Sequence, residues 1–154
     1  REDDLVKVAL IKDKSFDFSK LIKEIKSSEN ISKCGAIVSF IGIVRGIGRD
    51  GTRVKKLIYE AEENVVLKEL EEIREKILRK YKGVHEVIIY HFIGERDVGE
   101  DTIYILVASE HREEGFKAAR EALELVNERV HIWKKEITER GAYWIMGEEQ
   151  VKIG

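Results

Sequence analysis

Thr102-Ile-Tyr-Ile-Leu-Val-Ala-Ser-Glu-His-Arg-Glu-Glu-Gly-Phe116 carries the chain out of a strand and into a helix. Beta-branched and apolar residues fill 102–109 as a strand requires, and apolar positions at helical spacing begin at Phe116. His111 and Arg112 therefore fall at a strand-to-helix junction. Unpaired backbone N–H groups and the helix dipole favour an anion there, and Arg112 adds a planar fork suited to phosphate or carboxylate. A plainer interpretation competes with this one: Ser109 caps the helix, and the His-Arg pair is its solvated first turn. Downstream, Ile132-Trp-Lys-Lys-Glu136 brings two lysines to the far end of the same helical pattern.

Working outward from this junction, Val6 to Ile11 reads as a first strand and Asp17 to Ile25 as a short helix capped by Asp17, with Leu21, Ile22 and Ile25 on one side. Ala36 to Val44 is apolar on both faces, which predicts a central strand covered on each side. The following Gly46-Ile-Gly-Arg-Asp-Gly51 spells the glycine spacing of a dinucleotide-binding turn, but that turn must open a helix at its third glycine. Thr52 to Tyr59 alternates and branches like a strand, so Asp50-Gly51 is better read as hairpin chemistry.

Val66, Leu70, Ile73 and Ile77 mark an amphipathic helix over 64–81. Strands over 84–93 and 102–109 follow, joined by a loop from Gly94 to Asp101, and His91 inside the first of them reads as a packed or hydrogen-bonded side chain. The third helix is expected to bury Phe116, Ala119, Leu123, Val126 and Val130, with Asn127 at the margin of that stripe. Lys134 lies nearly two turns beyond Asn127, so both face one cleft if the helix extends that far. Glu136 to Met146 reads as a hairpin turning at Arg140-Gly141, with Tyr143 and Trp144 on opposite sides. Interleaved helices and hairpins predict an α+β fold with a mixed or antiparallel sheet.

Composition bounds the function classes. With 154 residues, 43% of them hydrophobic, the chain suits a single domain spanning 1–154. No apolar run reaches membrane-spanning length and no secretory pattern is present, so a soluble, cytoplasmic protein is expected. A net charge of −2 argues against nucleic acid or membrane partners. The single cysteine, Cys34, excludes an internal disulfide and reads as a structural thiol. His85, His91, His111 and His131 lack ligand spacing, so neither a metal nor another cofactor is expected. Heavy Lys and Glu use, with one Met and one Cys, resembles proteins from hot environments.

Five short segments, in order, give the chain a family resemblance over about Gly35 to Met146: Gly35-Ala-Ile-Val-Ser-Phe-Ile-Gly-Ile-Val-Arg45, Leu57-Ile-Tyr-Glu60, His91-Phe-Ile-Gly-Glu95 with Val98-Gly-Glu100, Ser109-Glu-His-Arg112, and Trp133-Lys-Lys-Glu136. The chain resembles the catalytic (large) subunit of molybdopterin synthase, the MoaE family. That resemblance implies an α/β hammerhead-type core with a small antiparallel subdomain, and a homodimer of large subunits within a heterotetramer. It implies a sulfurtransferase that binds cyclic pyranopterin monophosphate and inserts two sulfurs to give molybdopterin. The sulfur arrives as a thiocarboxylate on the C-terminal Gly-Gly tail of a small ubiquitin-like sulfur carrier.

Carried over by motif, the implied catalytic residues are His111, Arg112 and Lys134. The implied substrate contacts are Ile43, Val44, Arg45, His111, Arg112, Asn127, Lys134, Lys135 and Glu136. A cyclic phosphate and an anionic tail sharing a pocket require converging cations, and a histidine is the side chain suited to donate a proton near neutrality. Trp133 is expected to be a core or interface aromatic. The chain departs from the family at Asn127, where the family has a lysine. An amide carries no charge and is no amine nucleophile, so a non-catalytic relative that binds the carrier as a scaffold is the alternative.

Overall fold

A computed structural model describes residues 6–147 and 149–154. In chain order the elements are β1 (Val8–Ile11), α1 (Ser19–Lys26), a 3-10 turn (Ile31–Lys33), β2 (Ala36–Ile43), β3 (Val54–Ala61), α2 (Glu63–Lys80), β4 (Val84–Phe92), β5 (Gly94–Asp97), β6 (Asp101–Ser109), α3 (Arg112–Arg129), β7 (Ile132–Thr138), β8 (Gly141–Met146) and β9 (Glu149–Lys152). They form two sheets, ordered β1-β4-β6-β2 and β5-β3-β7-β8-β9. The first is mixed, because β1 runs parallel to β4 while β4 and β2 are antiparallel to β6. The α+β class expected from the sequence is the class observed.

Helices α2 and α3 cover one face of the first sheet. Val66, Leu70, Ile73 and Ile77 of α2 pack with Val87 and Ile89 of β4 and Ile103, Ile105 and Val107 of β6. Each such side chain, fully buried, contributes roughly 1.5–3 kcal/mol. Leu21 and Ile25 of α1 close the other face against Ile88, Tyr90, Tyr104 and Leu106. Asp17 accepts the Ser19 N–H at 2.9 Å, so it serves the first turn of α1 from just outside it. A third, smaller cluster of Val44, Val54, Leu57 and Tyr59 joins the two sheets. Among the described residues, no helix is long and apolar enough to cross a membrane.

Five expectations are corrected. Strand β2 is an edge strand, not a central one, and Phe40 and Ile41, neighbours that point to opposite faces, are 37% and 42% exposed. Its two-sided apolarity reflects an uncovered edge rather than burial. Helix α3 begins a turn earlier than Phe116 and buries Gly115, Ala118, Ala119, Ala122, Leu125 and Val126, while Phe116 is 63% exposed. Small residues make this face because the helix lies tight on the sheet: a Cβ on Gly115 would sit 2.7 Å from Ser109 Oγ and 3.0 Å from Val38 Cγ2. Ser109 does not cap the helix; its hydroxyl donates to the His111 carbonyl at 2.7 Å, and His111 is the N-cap residue. Finally, α3 stops at Arg129, so Lys134 lies on β7 and shares no helical face with Asn127. The segment 94–101 is not all loop, since β5 pairs with β3 there.

Candidate functional site

Strand alternation sorts the Trp-Lys-Lys-Glu segment onto two faces of the second sheet. Lys134 is opposite Tyr59 on β3, and Glu136 is opposite Leu57; both partners belong to the cluster between the sheets, so Lys134 and Glu136 face inward. Trp133 and Lys135 face out. Lys135 Nζ stands 5.0 Å over the Trp144 ring, and Trp133, 51% exposed, meets Trp144 edge-on. Lys135 is thereby removed from the cluster around Lys134, and Trp133 is no core residue.

Lys134 is half-buried, and no hydrogen bond or ion pair reaches its ammonium among the described residues. Loss of hydration lowers its pKa; Glu136 acts against that shift and the Arg49 guanidinium acts with it. Glu136 is itself held, accepting from Gln150 Nε2 at 3.0 Å. Tyr59, across from Lys134, is buried and has its phenol pushed up to about 12 by that burial, with Thr102 acting against the shift. Arg45 lies two residues past β2, at the end where Ile43 is opposite Asp101, and is exposed. Val44 is buried, its N–H donates to the Glu100 carbonyl at 3.0 Å, and its carbonyl accepts from Gly99 at 2.9 Å. The Val44 side chain is thus turned inward with both backbone groups engaged, whereas Ile43 is 56% exposed.

His91 forms part of the wall behind Lys134. Its ring meets Tyr59 edge-on at 4.9 Å, and Nδ1 donates to the Phe92 carbonyl at 2.6 Å. The expectation of a packed, hydrogen-bonded histidine agrees with this geometry. Burial, the dominant cause, and the nearby Lys134 charge lower its pKa from 6.5 to about 4. The unfolded chain therefore binds a proton that the fold refuses across that window, and stability contributed by neutral His91 is complete above pH 6.5 and lost as pH falls toward 4. The loss is about 3 kcal/mol. Denaturant titrations of wild type and His91→Gln between these pH values should show a steeper acid decline in the wild type; parallel declines would remove His91 as its cause.

His111 and Arg112 occupy the opposite end. They line a cleft of about 680 Å³ with Gly35, Ala36, Glu110, Glu113 and Glu114 at the start of α3. Two of these carboxylates are already engaged: Glu114 accepts from the Gly83 N–H at 3.0 Å, and His85 Nε2 lies 2.7 Å from Glu110 Oε2. Hydrogen bonding to His85 lowers the Glu110 pKa. Gly35 approaches so closely that a Cβ would lie 2.8 Å from the Glu110 carbonyl oxygen.

One protomer does not bring all the expected residues together. His91 pairs with Ile103, near the start of β6, whereas His111 follows Ser109 at its end. Six residues of strand separate these levels by about 20 Å. Arg45, Lys134 and Glu136 thus lie toward one end of the first sheet, and His111 with Arg112 at the other. Asn127 is exposed on the last full turn of α3. The structure adds Arg49 and Gln150, which sequence reasoning missed. Arg49 was hidden in a glycine-rich hairpin, and Gln150 lies on a four-residue strand without an apolar alternation. Among the described residues, no three His, Cys, Asp or Glu side chains converge as metal ligands would.

The chain matches the family model described as MoaE protein over residues 11–129. It is 41% identical over 147 residues to the molybdopterin synthase catalytic subunit of Pyrococcus abyssi, covering 96% of each chain. Against the catalytic subunit of Bacillus subtilis it is 39% identical over 125 residues, 81% of this chain and 76% of the relative. The crystal structure of molybdopterin synthase from Staphylococcus aureus superposes with a TM-score of 0.75 at 31% identity, over 90% of this chain and 95% of that one. The complex of subunits 1 and 2 of molybdopterin-converting factor from Helicobacter pylori shares the fold, with a TM-score of 0.71 at 20% identity over 96% and 94% of the two chains.

Proposed function

Because this chain belongs to the MoaE protein family, we propose that it acts as the catalytic subunit of a molybdopterin synthase, transferring sulfur from a thiocarboxylated small carrier to cyclic pyranopterin monophosphate. The observation that carries the catalytic reading is Lys134. A half-buried ammonium without a partner is costly, and an anion arriving beside it removes that cost. Both reactants are anionic, so either the phosphate or the carrier's tail supplies it. Arg45 serves the same half-site. His111 donates a proton as the cyclic phosphate opens, and Arg112 binds an anionic oxygen.

The two half-sites meet in a homodimer. An isologous dimer repeats one surface on both protomers, and β2 is suited to it, with Phe40, Ile41 and Ile43 exposed along a free edge. A two-fold axis beside β2 runs the paired strands antiparallel. One protomer's Arg45 end then lies next to the partner's Gly35 and His111 end, because Ala36 is opposite Ser109 and Ile43 opposite Asp101 in each chain. The carrier completes a heterotetramer by threading its Gly-Gly tail to Lys134.

Formation of molybdopterin from the pterin precursor and a thiocarboxylated carrier tests the assignment directly. Absence of product with a carrier that binds would favour the scaffold alternative raised by Asn127. Because Asn127 is exposed, a lysine there acts through solvent, and Asn127→Lys is expected to raise turnover by about tenfold or less, with stability unchanged. An increase of several hundredfold would mean that the wild-type site lacks its principal amine and that Lys134 does not supply it.

A further inference from the structure

Resting on the placement of Lys134 in the proposed site, we infer that Arg49 is a second anion-binding residue, forming with Lys134 a two-cation cradle for a phosphate or carboxylate group. Arg49 rides on the Gly46–Gly51 hairpin, which is tied to itself. The Gly48 N–H donates to the Thr52 carbonyl at 2.8 Å, the Gly51 N–H to the Gly48 carbonyl at 3.0 Å, and the Val54 N–H to the Gly46 carbonyl at 2.9 Å. Asp50 Oδ1 accepts the Thr52 N–H at 2.9 Å, and Gly51 takes a φ of 80° to close the turn. The loop rests on β7: a Cβ at Gly48 would lie 3.6 Å from Glu136 Oε1.

The loop therefore holds Arg49, itself exposed, beside β7 and within electrostatic reach of Lys134. Neither cation has a hydrogen-bonded or ion-paired partner among the described residues. The groups facing Lys134 are Arg49 from the loop, Glu136 on β7, Tyr59 on β3 and His91 on β4. Tyr59 and His91 are neutral near pH 7. Glu136 is the one anion among these, and Gln150 shares its oxygen. Two like charges converging on so little countercharge repel each other until an anion with several acceptor oxygens bridges them.

The test uses the full chain with two probes, inorganic phosphate and a synthetic peptide ending in a Gly-Gly carboxylate, titrated calorimetrically into wild type, Arg49→Gln and Arg49→Lys. Arg49→Gln should weaken one probe by about tenfold while Arg49→Lys retains most of the affinity. Loss for phosphate assigns the cradle to the substrate's phosphate; loss for the peptide assigns it to the carrier's tail. In parallel, the Lys134 ammonium, followed by NMR of labelled lysine, should titrate at higher pH in Arg49→Gln, since a repelling charge has gone. Unchanged binding of both probes together with an unmoved Lys134 titration overturns the inference, as does wild type binding neither probe. A Lys134→Met protein that still makes molybdopterin, beside Arg49→Gln with weakened phosphate binding, would sink the catalytic reading and leave the cradle standing.

Discussion

Lys134→Met is expected to lower molybdopterin formation by about 10²–10³-fold, the scale at which a preorganised electrostatic group acts on a transition state. The same substitution should leave the protein as stable as before, or more so. Methionine keeps the unbranched stem that packs beside Tyr59, while it removes an ammonium that is half out of water and lacks a hydrogen-bonded partner among the described residues. Opposite signs on activity and stability distinguish a functional charge from a structural one. Turnover with a thiocarboxylated carrier and thermal unfolding of the same preparations measure the two. Near-normal turnover would end the assignment of Lys134 to the reaction, and a fall of several degrees in Tm would show that the ammonium stabilises the fold.

The parts of this fold that could be read from sequence are those whose periodicity is set by burial. Helix α2 lies within a residue of its expected bounds because Val66, Leu70, Ile73 and Ile77 all face the sheet. Strands β4 and β6 are buried on both faces, as their unbroken apolar runs require. The same pattern misleads for β2, where apolarity on both faces belongs to an edge left for another surface. In helix α3, Ala119 and Val126 are buried and Leu123 and Val130 pack against the core as their spacing requires, but Phe116 is exposed, and Gly115, Ala118 and Ala122, which allow close approach to the sheet, carry little hydropathic signal. Strands β5 and β9 are held by backbone pairing and have almost no apolar side chains to announce them.

The candidate site was legible to a similar, uneven degree. Lys134 is recognisable by its motif, but its placement is not, since the chain leaves α3 at Arg129 and returns as a strand. That return puts Lys134 and Glu136 on one face and Lys135 on the other, a division fixed by the twofold repeat of a strand and invisible while the segment is thought helical. Arg49 had no signal of its own. Its relevance comes from the loop folding back on β7, a tertiary contact between residues far apart in sequence.

Two inactive proteins should restore each other if the half-sites meet across a dimer. Lys134→Met removes the amine from one half-site, and His111→Ala removes the proton donor from the other, each alone costing about 10²–10³-fold. Co-refolding the two variants, or expressing them together with different tags, gives heterodimers in which one composite site carries both substitutions and the other carries neither. Random pairing makes about half of the dimers mixed, each with one intact site of two, so activity should recover to roughly a quarter of wild type. The recovery is large because the starting variants are nearly silent. The separation of about 20 Å along β6 makes the outcome decisive, since one protomer cannot bring its own His111 to its own Lys134 without unmaking the sheet. Verified heterodimers that remain as inactive as their parents would exclude a shared site and return His111 and Arg112 to a solvated helix start.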